Sequence, residues 1–196
     1  MIAAQRLEEL RVCIANSDDE SAYKELFISL YPHLHAFAMH FMRSKQLSEE
    51  VVSDVFIKIW EKRKSLAKVE NFKIYLFVAT KNTALNYLNK NKSAPLSLDD
   101  FGGEFNSSYA DPEQLLITSD MMKLVNQAIL NLPPRCRTIF QLVKYDRMKY
   151  REVAEILNIS AKTVENQLAI AIRKIGSTIS FDMNRAVPSS IHLSES

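Results

Sequence analysis

The chain has 196 residues, of which 47% are apolar and 24% are charged, and its net charge is +2 at pH 7. It has neither a basic leader followed by an apolar run nor an apolar stretch of bilayer length, so we expect a cytoplasmic protein and exclude secretion or membrane insertion. Abundant 3.6-residue periodicity with only three glycines predicts an all-α fold. Cys13 and Cys136 lack metal-type or redox-type spacing, and we expect both to be reduced thiols.

Charge is distributed unevenly along the chain. Residues 20–92 hold 12 Lys/Arg against 7 Asp/Glu, residues 121–181 hold 10 against 4, and residues 93–120 hold six acids with no Lys or Arg. Basic segments suggest contact with phosphates, whereas the acidic segment would be repelled by them. We predict two small helical domains at 1–92 and 121–181, an acidic flexible linker at 93–120 and a tail at 182–196.

The first basic segment predicts helices with one polar face. A helix is expected from about Ser21, with Pro32 interrupting it before a second apolar segment. The next helix is predicted to begin at Ser48, a good N-cap residue, with Glu49 and Glu50 in its first turn. Its mostly polar side is a candidate protein-docking surface formed by Glu50, Ser53, Asp54 and Ile57.

Two groups of polar residues resemble chemical sites only superficially. His33, His35 and His40 are two and five residues apart, so they diverge on a helix, and we expect partly exposed histidines without a metal. Glu50 and Asp54 form a carboxylate pair, but no nucleophile, phosphate loop or matching histidine accompanies them. We therefore expect no enzyme active site, no cofactor and no small-molecule substrate.

The segment from Tyr150 to Lys174 predicts a helix, a tight turn and a second helix that starts after Ser160. The apolar residues expected on the inner face of the second helix are Val164, Leu168, Ala171, Ile172 and Ile175. The opposite face carries Lys162, Asn166, Ala169 and Arg173. Asn bonds the adenine edge and Arg the guanine edge, so the pattern is typical of a DNA-binding helix-turn-helix, although a solvated helical hairpin also fits it.

Two longer stretches carry a family resemblance that covers about residues 20–180. SEEVVSDVFIKIW and FKIYLFVATKNTALNYLNKNK resemble region 2 of the extracytoplasmic-function sigma factors. LNLPPRCRTIFQLVKYDRMKYREVAEILNISAKTVENQLAIAIRKI is similar to region 4 of the same family. The resemblance implies a non-catalytic subunit that binds core RNA polymerase and promoter DNA and directs promoter recognition, strand opening and transcription initiation. It also implies control by an anti-sigma factor, often membrane-anchored.

The resemblance assigns roles to residues of the first domain. Docking on the coiled coil of the largest polymerase subunit is implied for Glu50, Ser53 and Asp54, while Trp60 packs beside that interface or fills the core. Segment 64–71 is similar to the loop that captures an unstacked non-template base of the −10 element, and the following helix to the one that tracks the melted strand. The residues expected at the −10 region are Lys64, Lys68, Asn71, Lys73, Lys81, Asn82, Asn86 and Lys90. Lys81, Asn86 and Asn89 depart from the family's usual Arg, Asp and Arg, which leaves the base preference open.

In the second domain the resemblance implies contact with the −35 duplex. Base-edge or near-base contacts are expected from Lys162, Thr163, Asn166 and Arg173, and phosphate contacts from Arg135, Arg137 and Lys174. Ala169 either meets a thymine methyl or permits close approach, and Glu165 either accepts from a cytosine amino group or repels a phosphate.

Two alternatives remain open from the sequence. The resemblance implies that the acidic linker threads polymerase channels as a mimic of nucleic acid, whereas composition alone is equally consistent with a plain tether. The alternative function is a helix-turn-helix transcriptional regulator with an N-terminal sensing or dimerisation domain, and a helical adaptor with acidic partners is more distant.

Overall fold

A computed structural model describes residues 2–91 and 119–186 of the chain. Within these ranges every regular element is helical, which confirms the all-α prediction. The N-terminal half comprises α1 (Ala4–Ser17), α2 (Glu20–Met42), α3 (Lys45–Glu61), a 3₁₀ helix (Arg63–Lys68) and α4 (Phe72–Asn91). The C-terminal half comprises α5 (Ser119–Leu130), α6 (Pro134–Lys144), α7 (Tyr150–Leu157) and α8 (Ala161–Ala186). The linker predicted at 93–120 lies outside the described residues except for its last two, which begin α5.

Helix α2 is continuous, so the interruption predicted at Pro32 is wrong. Asp19 caps the helix by accepting from the backbone N–H of Ala22 at 2.9 Å. Pro32 lies inside the helix, and Leu30 and Leu34 on either side of it are fully buried. Packing of both flanking turns into one core therefore outweighs the hydrogen bond that proline removes.

Helix α3 begins earlier than predicted. Ser44 is its N-cap and accepts from the backbone N–H of Leu47, while Ser48 is buried and donates its hydroxyl to the carbonyl of Ser44 at 2.8 Å. The prediction that Ser48 starts the helix is wrong, because two serines four residues apart offer the same capping chemistry. The apolar face packs inward through Val51, Val52, Val55, Phe56 and Ile59.

The helix-turn-helix predicted in the C-terminal half is confirmed. Helix α7 ends at Leu157 and is followed by Asn158, whose backbone is left-handed with φ 55°. The side chain of Ser160 accepts from the backbone N–H of Thr163 at 3.0 Å. Val164, Leu168 and Ala171 are buried as expected. The inward placement predicted for Ile172 is wrong, because α8 packs on one stripe only and Ile172 lies at its edge with 49% of its surface exposed.

The two halves share one buried core. Phe37 and Phe77 from the N-terminal half lie in the same apolar cluster as Ile139, Leu142 and Val153 from the C-terminal half. Sequence periodicity predicts that each of these residues is buried, but not that they are buried together. The N-terminal and C-terminal halves are therefore held by hydrophobic burial as well as by chain connectivity.

Hydrogen bonds cross the same boundary, and we call this set the inter-half contact. Nδ1 of His33 lies 2.7 Å from Oδ1 of Asp146, and Nζ of Lys73 donates to the carbonyl of Asp146 at 2.6 Å. Nε2 of His40 lies 2.6 Å from Oε1 of Gln141. His40 is 7% exposed, so the prediction of partial exposure is wrong for it, because α6 covers this face of α2. Burial is the main cause that lowers the pKa of His40 to about 4.

Two further sequence predictions concern the whole chain. Cys13 and Cys136 are both free thiols, as expected. Among the described helices, none combines the length and the apolar character that a bilayer crossing requires.

Candidate nucleic-acid interface

The polar side of α3 is presented to solvent. Glu50, Ser53 and Ile57 are exposed, and Asp54 is half-buried. Oδ2 of Asp54 accepts from the Tyr87 hydroxyl of α4 at 2.9 Å, and this hydrogen bond is the main cause of the raised pKa of Tyr87. The Tyr87 bond therefore orients one carboxylate on this exposed polar face.

A groove of about 700 Å³ opens beside this face, between α2 and α3. Its lining comprises Glu20, Ser21, Tyr23, Lys24, Ile57, Trp60 and Glu61. Trp60 is half-buried, packs on Tyr23 with ring centroids 4.8 Å apart, and carries the Arg63 guanidinium 4.6 Å above its ring. Trp60 therefore packs against the core and also forms one wall of the groove. The groove adjoins the polar side of α3, and its lining is mainly apolar.

Segment 64–71 comprises most of the 3₁₀ helix and the three residues that lead into α4, and it is held at several points. Nζ of Lys64 lies 3.0 Å from Oδ2 of Asp18, a residue at the end of α1. Hydrogen bonds from Lys64 and Arg63 lower the pKa of the Asp18 carboxyl. Asn71 uses its side-chain oxygen to accept from the backbone N–H of Ile74 at 3.1 Å, which caps α4. Lys68 is exposed.

Helix α4 separates its predicted strand-contacting residues into two groups. Asn82, Asn86 and Lys90 are exposed at four-residue spacing and therefore share one face, as predicted. Lys81 is half-buried, and burial lowers its pKa. Lys73 points to the other half and donates to Asp146, and its pKa is lowered mainly by burial. In this conformation Lys73 is part of the inter-half contact and not of the exposed face.

The outer face of α8 matches the predicted arrangement. Lys162, Asn166, Ala169 and Arg173 are all exposed, and Lys174 adjoins them. Lys162 pairs with Glu165 at 2.9 Å, which positions both side chains at the start of the helix. Thr163 is half-buried and hydrogen-bonded to Ser160, so its hydroxyl also takes part in capping.

The two arginines expected to contact phosphates lie on α6, which packs against α8. Arg135 is half-buried, and Arg137 is only 7% exposed. Burial lowers the pKa of Arg137, and its charge in turn lowers the pKa of the neighbouring His40. In the described conformation Arg137 is therefore buried and is not presented for a phosphate contact.

Some residues that organise these surfaces have no signal in the sequence. Tyr87 orients Asp54, while Gln141 and Asp146 anchor the inter-half contact. Each of these three residues is at least 33 residues away along the chain from the residue that it bonds. Tyr87 and Gln141 also lie in ordinary helical patterns. Helical periodicity shows only that these residues lie near the edge of an apolar face, so no local pattern could have identified their hydrogen-bonding roles.

Comparison with known proteins identifies both halves. The family described as Sigma-70 region 2 matches residues 26–94, and the family described as Sigma-70, region 4 matches residues 122–175. The chain is 23% identical over 176 residues to the ECF RNA polymerase sigma-E factor of Escherichia coli (strain K12), covering 85% of this chain and 91% of that protein. Its identity to the sigma-E factor of Haemophilus influenzae is 25% over 175 residues, covering 85% and 92%.

Two solved structures share the fold. The structure of CnrH in complex with the cytosolic domain of CnrY has a TM-score of 0.55 at 20% identity, covering 92% of this chain and 99% of that one. The sigma factor RpoE, in complex with the anti-sigma factor NepR from Bartonella quintana, has a TM-score of 0.53 at 22% identity, covering 82% and 98%.

The chain combines two helical halves, one with an exposed polar face on α3 and the other with a helix-turn-helix. With both family regions matched in order, this chain belongs to the sigma-70 family, in its extracytoplasmic-function group. It is a sigma factor, which binds core RNA polymerase and directs promoter recognition and transcription initiation. Members of this family are initiation factors and not enzymes.

Proposed function

We propose that this chain is a dissociable initiation subunit that catalyses no reaction itself and works through three surfaces. In this proposal residues 1–92 dock on core polymerase and engage the −10 element, and residues 121–181 bind the −35 duplex. Residues 93–120 link the two domains, and the proposed tail at 182–196 follows the second domain, with its first five residues continuing α8. The observation that carries the proposal is that α3 and α8, from the two matched family regions, each present a polar face to solvent.

Core polymerase binds the acidic side of α3 through Glu50, Ser53 and Asp54. This face supplies two carboxylates, one of them oriented by Tyr87, and an exposed Ile57 as apolar contact. Acidic groups around an apolar centre suit a basic helical partner, because charge complementarity accelerates encounter and apolar burial supplies affinity.

Promoter DNA meets the chain at two places. The exposed group on α4 (Asn82, Asn86 and Lys90) combines with Lys64, Lys68 and Asn71 to hold the separated −10 strand. Lys73 joins them once the inter-half contact opens, and Lys81, half-buried on the same helix, adds a further positive charge. The outer face of α8 enters the major groove at the −35 element, with Lys162, Thr163, Asn166 and Arg173 near base edges and Lys174 and Arg135 on phosphates. Arg137 reaches a phosphate only in the opened form.

An anti-sigma factor controls access to these surfaces. RpoE from Bartonella quintana is held by an anti-sigma factor, and CnrH by the cytosolic domain of CnrY, in folds that this chain shares. The groove between α2 and α3 gives such a partner an apolar surface that overlaps the proposed polymerase-docking face. One partner would then exclude the other.

The decisive test mixes the purified full chain with core RNA polymerase and a library of duplex DNA fragments. We expect the chain to copurify with core polymerase and to start transcripts at a defined subset of fragments. If the chain binds particular duplexes alone but never binds core polymerase, it is a helix-turn-helix regulator and the proposal fails. Binding to neither supports an adaptor instead.

The face of α8 predicts two distinct mutant phenotypes. Asn166→Ala should lose discrimination at one or two −35 positions by roughly 1–3 kcal/mol, because it removes a base-edge contact. Lys174→Ala should weaken all promoters alike and lower the slope of log affinity against log salt by about 1, because it removes a phosphate contact. Initiation from single-base variants of a selected promoter, at several salt concentrations, measures both. A uniform loss for Asn166→Ala would contradict its assignment.

A further inference from the structure

An ion pair on α1 attaches that helix to the chain at two points, one inside the proposed base-capturing segment 64–71 and one immediately after it. Nε of Arg11 lies 2.6 Å from Oε2 of Glu8, one helical turn away. Nη1 of Arg11 donates to the carbonyl of Leu66 at 2.7 Å, and Oε1 of Glu8 lies 3.4 Å from the backbone nitrogen of Phe72. Leu66 lies in the 3₁₀ helix and Phe72 begins α4. The Glu8–Arg11 pair therefore spans residues 67–71.

The backbone between these two attachments is short and tightly turned. The carbonyl of Leu66 also accepts from the backbone N–H of Val69 at 3.0 Å, so Arg11 and the turn share one acceptor. Leu66 is fully buried, and Asn71 caps α4 immediately before Phe72. With both ends fixed, few backbone conformations remain for the residues between them.

The Arg11 contact is sheltered from solvent. The Arg11 side chain is 15% exposed, whereas Glu8 is 41% exposed. The apolar residues Leu7, Leu10 and Ile14 of α1 are buried in the core, which holds the helix against the 3₁₀ segment. A charge-assisted hydrogen bond in this setting is about twice as strong as a neutral one.

A second attachment lies at the other end of α1. Asp18 pairs with Lys64 at 3.0 Å and with Arg63 at 2.5 Å. These contacts are more exposed, with 63% of the Lys64 side chain open to solvent. They hold the start of the 3₁₀ helix, whereas Glu8 and Arg11 hold its end.

We infer that Arg11, supported by Glu8, is a positioning residue that sets the shape of residues 67–71 and thereby the base preference of −10 recognition. This inference rests on the proposed function, in which segment 64–71 captures an unstacked base. Arg11 itself need not touch DNA. It acts through the carbonyl of Leu66, because a displaced Leu66 turn moves Lys68 and Asn71 with it.

The test compares Arg11→Met with Arg6→Met in the full chain with core polymerase. Methionine keeps the aliphatic packing of Arg11 and removes its donors. Arg6 lies on the same helix and pairs with Glu9 and Glu25, away from the loop, so its variant is the matched control. The probe is a promoter selected by the wild type, together with every single-base variant of its −10 element.

We expect Arg11→Met to reduce the preference for the captured base by about tenfold, the loss that one charge-assisted hydrogen bond worth about 1.4 kcal/mol would give. The −35 preferences and core affinity should not change, and Arg6→Met should behave as wild type. Glu8→Gln should reduce the same preference by a smaller factor, and Arg11→Lys should restore part of it. A merely structural role would lower initiation equally at all −10 variants.

Other outcomes would overturn the inference in distinguishable ways. An unchanged −10 profile for a folded Arg11→Met, or an equal loss at every base, would show that Arg11 does not position the loop. If Arg11→Met fails to fold in thermal melts, Glu8→Gln and Arg11→Lys decide in the same way. If alanine at Lys68 and Asn71 leaves the wild-type −10 profile intact, the capture role of segment 64–71 fails and the inference fails with it.

Discussion

Reversal of two acidic charges on α3 is expected to abolish core polymerase binding. Glu50→Arg combined with Asp54→Arg should lower the affinity for core polymerase by at least about a hundredfold, because each arginine repels a basic partner that the carboxylate attracts. Purified core polymerase and the full chain, titrated by fluorescence anisotropy, measure this affinity. Thermal melts should show that both halves remain folded, since Glu50 is exposed and Asp54 is only half-buried.

Two controls separate charge from structure in this experiment. Tyr87→Phe removes the hydrogen bond to Asp54 and keeps the carboxylate, so it should lower the affinity only slightly. Glu155→Arg combined with Glu165→Arg changes the net charge by the same amount on exposed sites of α7 and α8. If the α3 double variant binds core polymerase as tightly as the wild type does, the polymerase-docking surface lies elsewhere on the chain.

Acidification is expected to destabilise the folded chain through His40. Its pKa is about 4 in the folded chain against an ordinary value of 6.5, so the unfolded chain binds the proton more readily. This contribution to the free energy of unfolding is complete above pH 6.5 and is lost as the pH falls toward 4. At pH 5 the loss should be about 2 kcal/mol relative to pH 7.5. Urea unfolding at several pH values measures it.

A neutral substitute isolates the contribution of His40. Glutamine does not titrate, so His40→Gln should show a flatter pH dependence than wild type over this range. The other titratable groups facing His40 or its hydrogen-bonded neighbours are His33, Lys73, Arg137 and Asp146. Of these, Asp146 has a raised pKa, which acts in the opposite direction. These groups are present in all variants, so their contributions to the pH dependence of the free energy of unfolding cancel in the comparison. Identical pH profiles for wild type and His40→Gln would contradict the prediction.

The local features of this protein follow from its sequence. The helix-turn-helix is predictable because an apolar stripe, a left-handed residue at Asn158 and a cap at Ser160 all act within a few residues. The exposed face of α8 and the polar side of α3 follow from the same periodicity. The two wrong helix predictions also concern local features. The predicted start of α3 is too late because Ser44 and Ser48 offer the same capping chemistry, and the interruption predicted at Pro32 does not occur because the packing around it stabilises the helix.

The contacts that couple these surfaces depend on the tertiary structure. The Arg11–Leu66 contact joins residues 55 apart, and the His33–Asp146 contact joins residues 113 apart. The sequence by itself determined the all-α class, the helix-turn-helix and the family, because caps, amphipathic periodicity and motifs are short-range features. Only the tertiary structure decided that Lys73, Arg137 and His40 lie at a shared boundary between the halves, because burial and charge there depend on elements that the sequence keeps far apart.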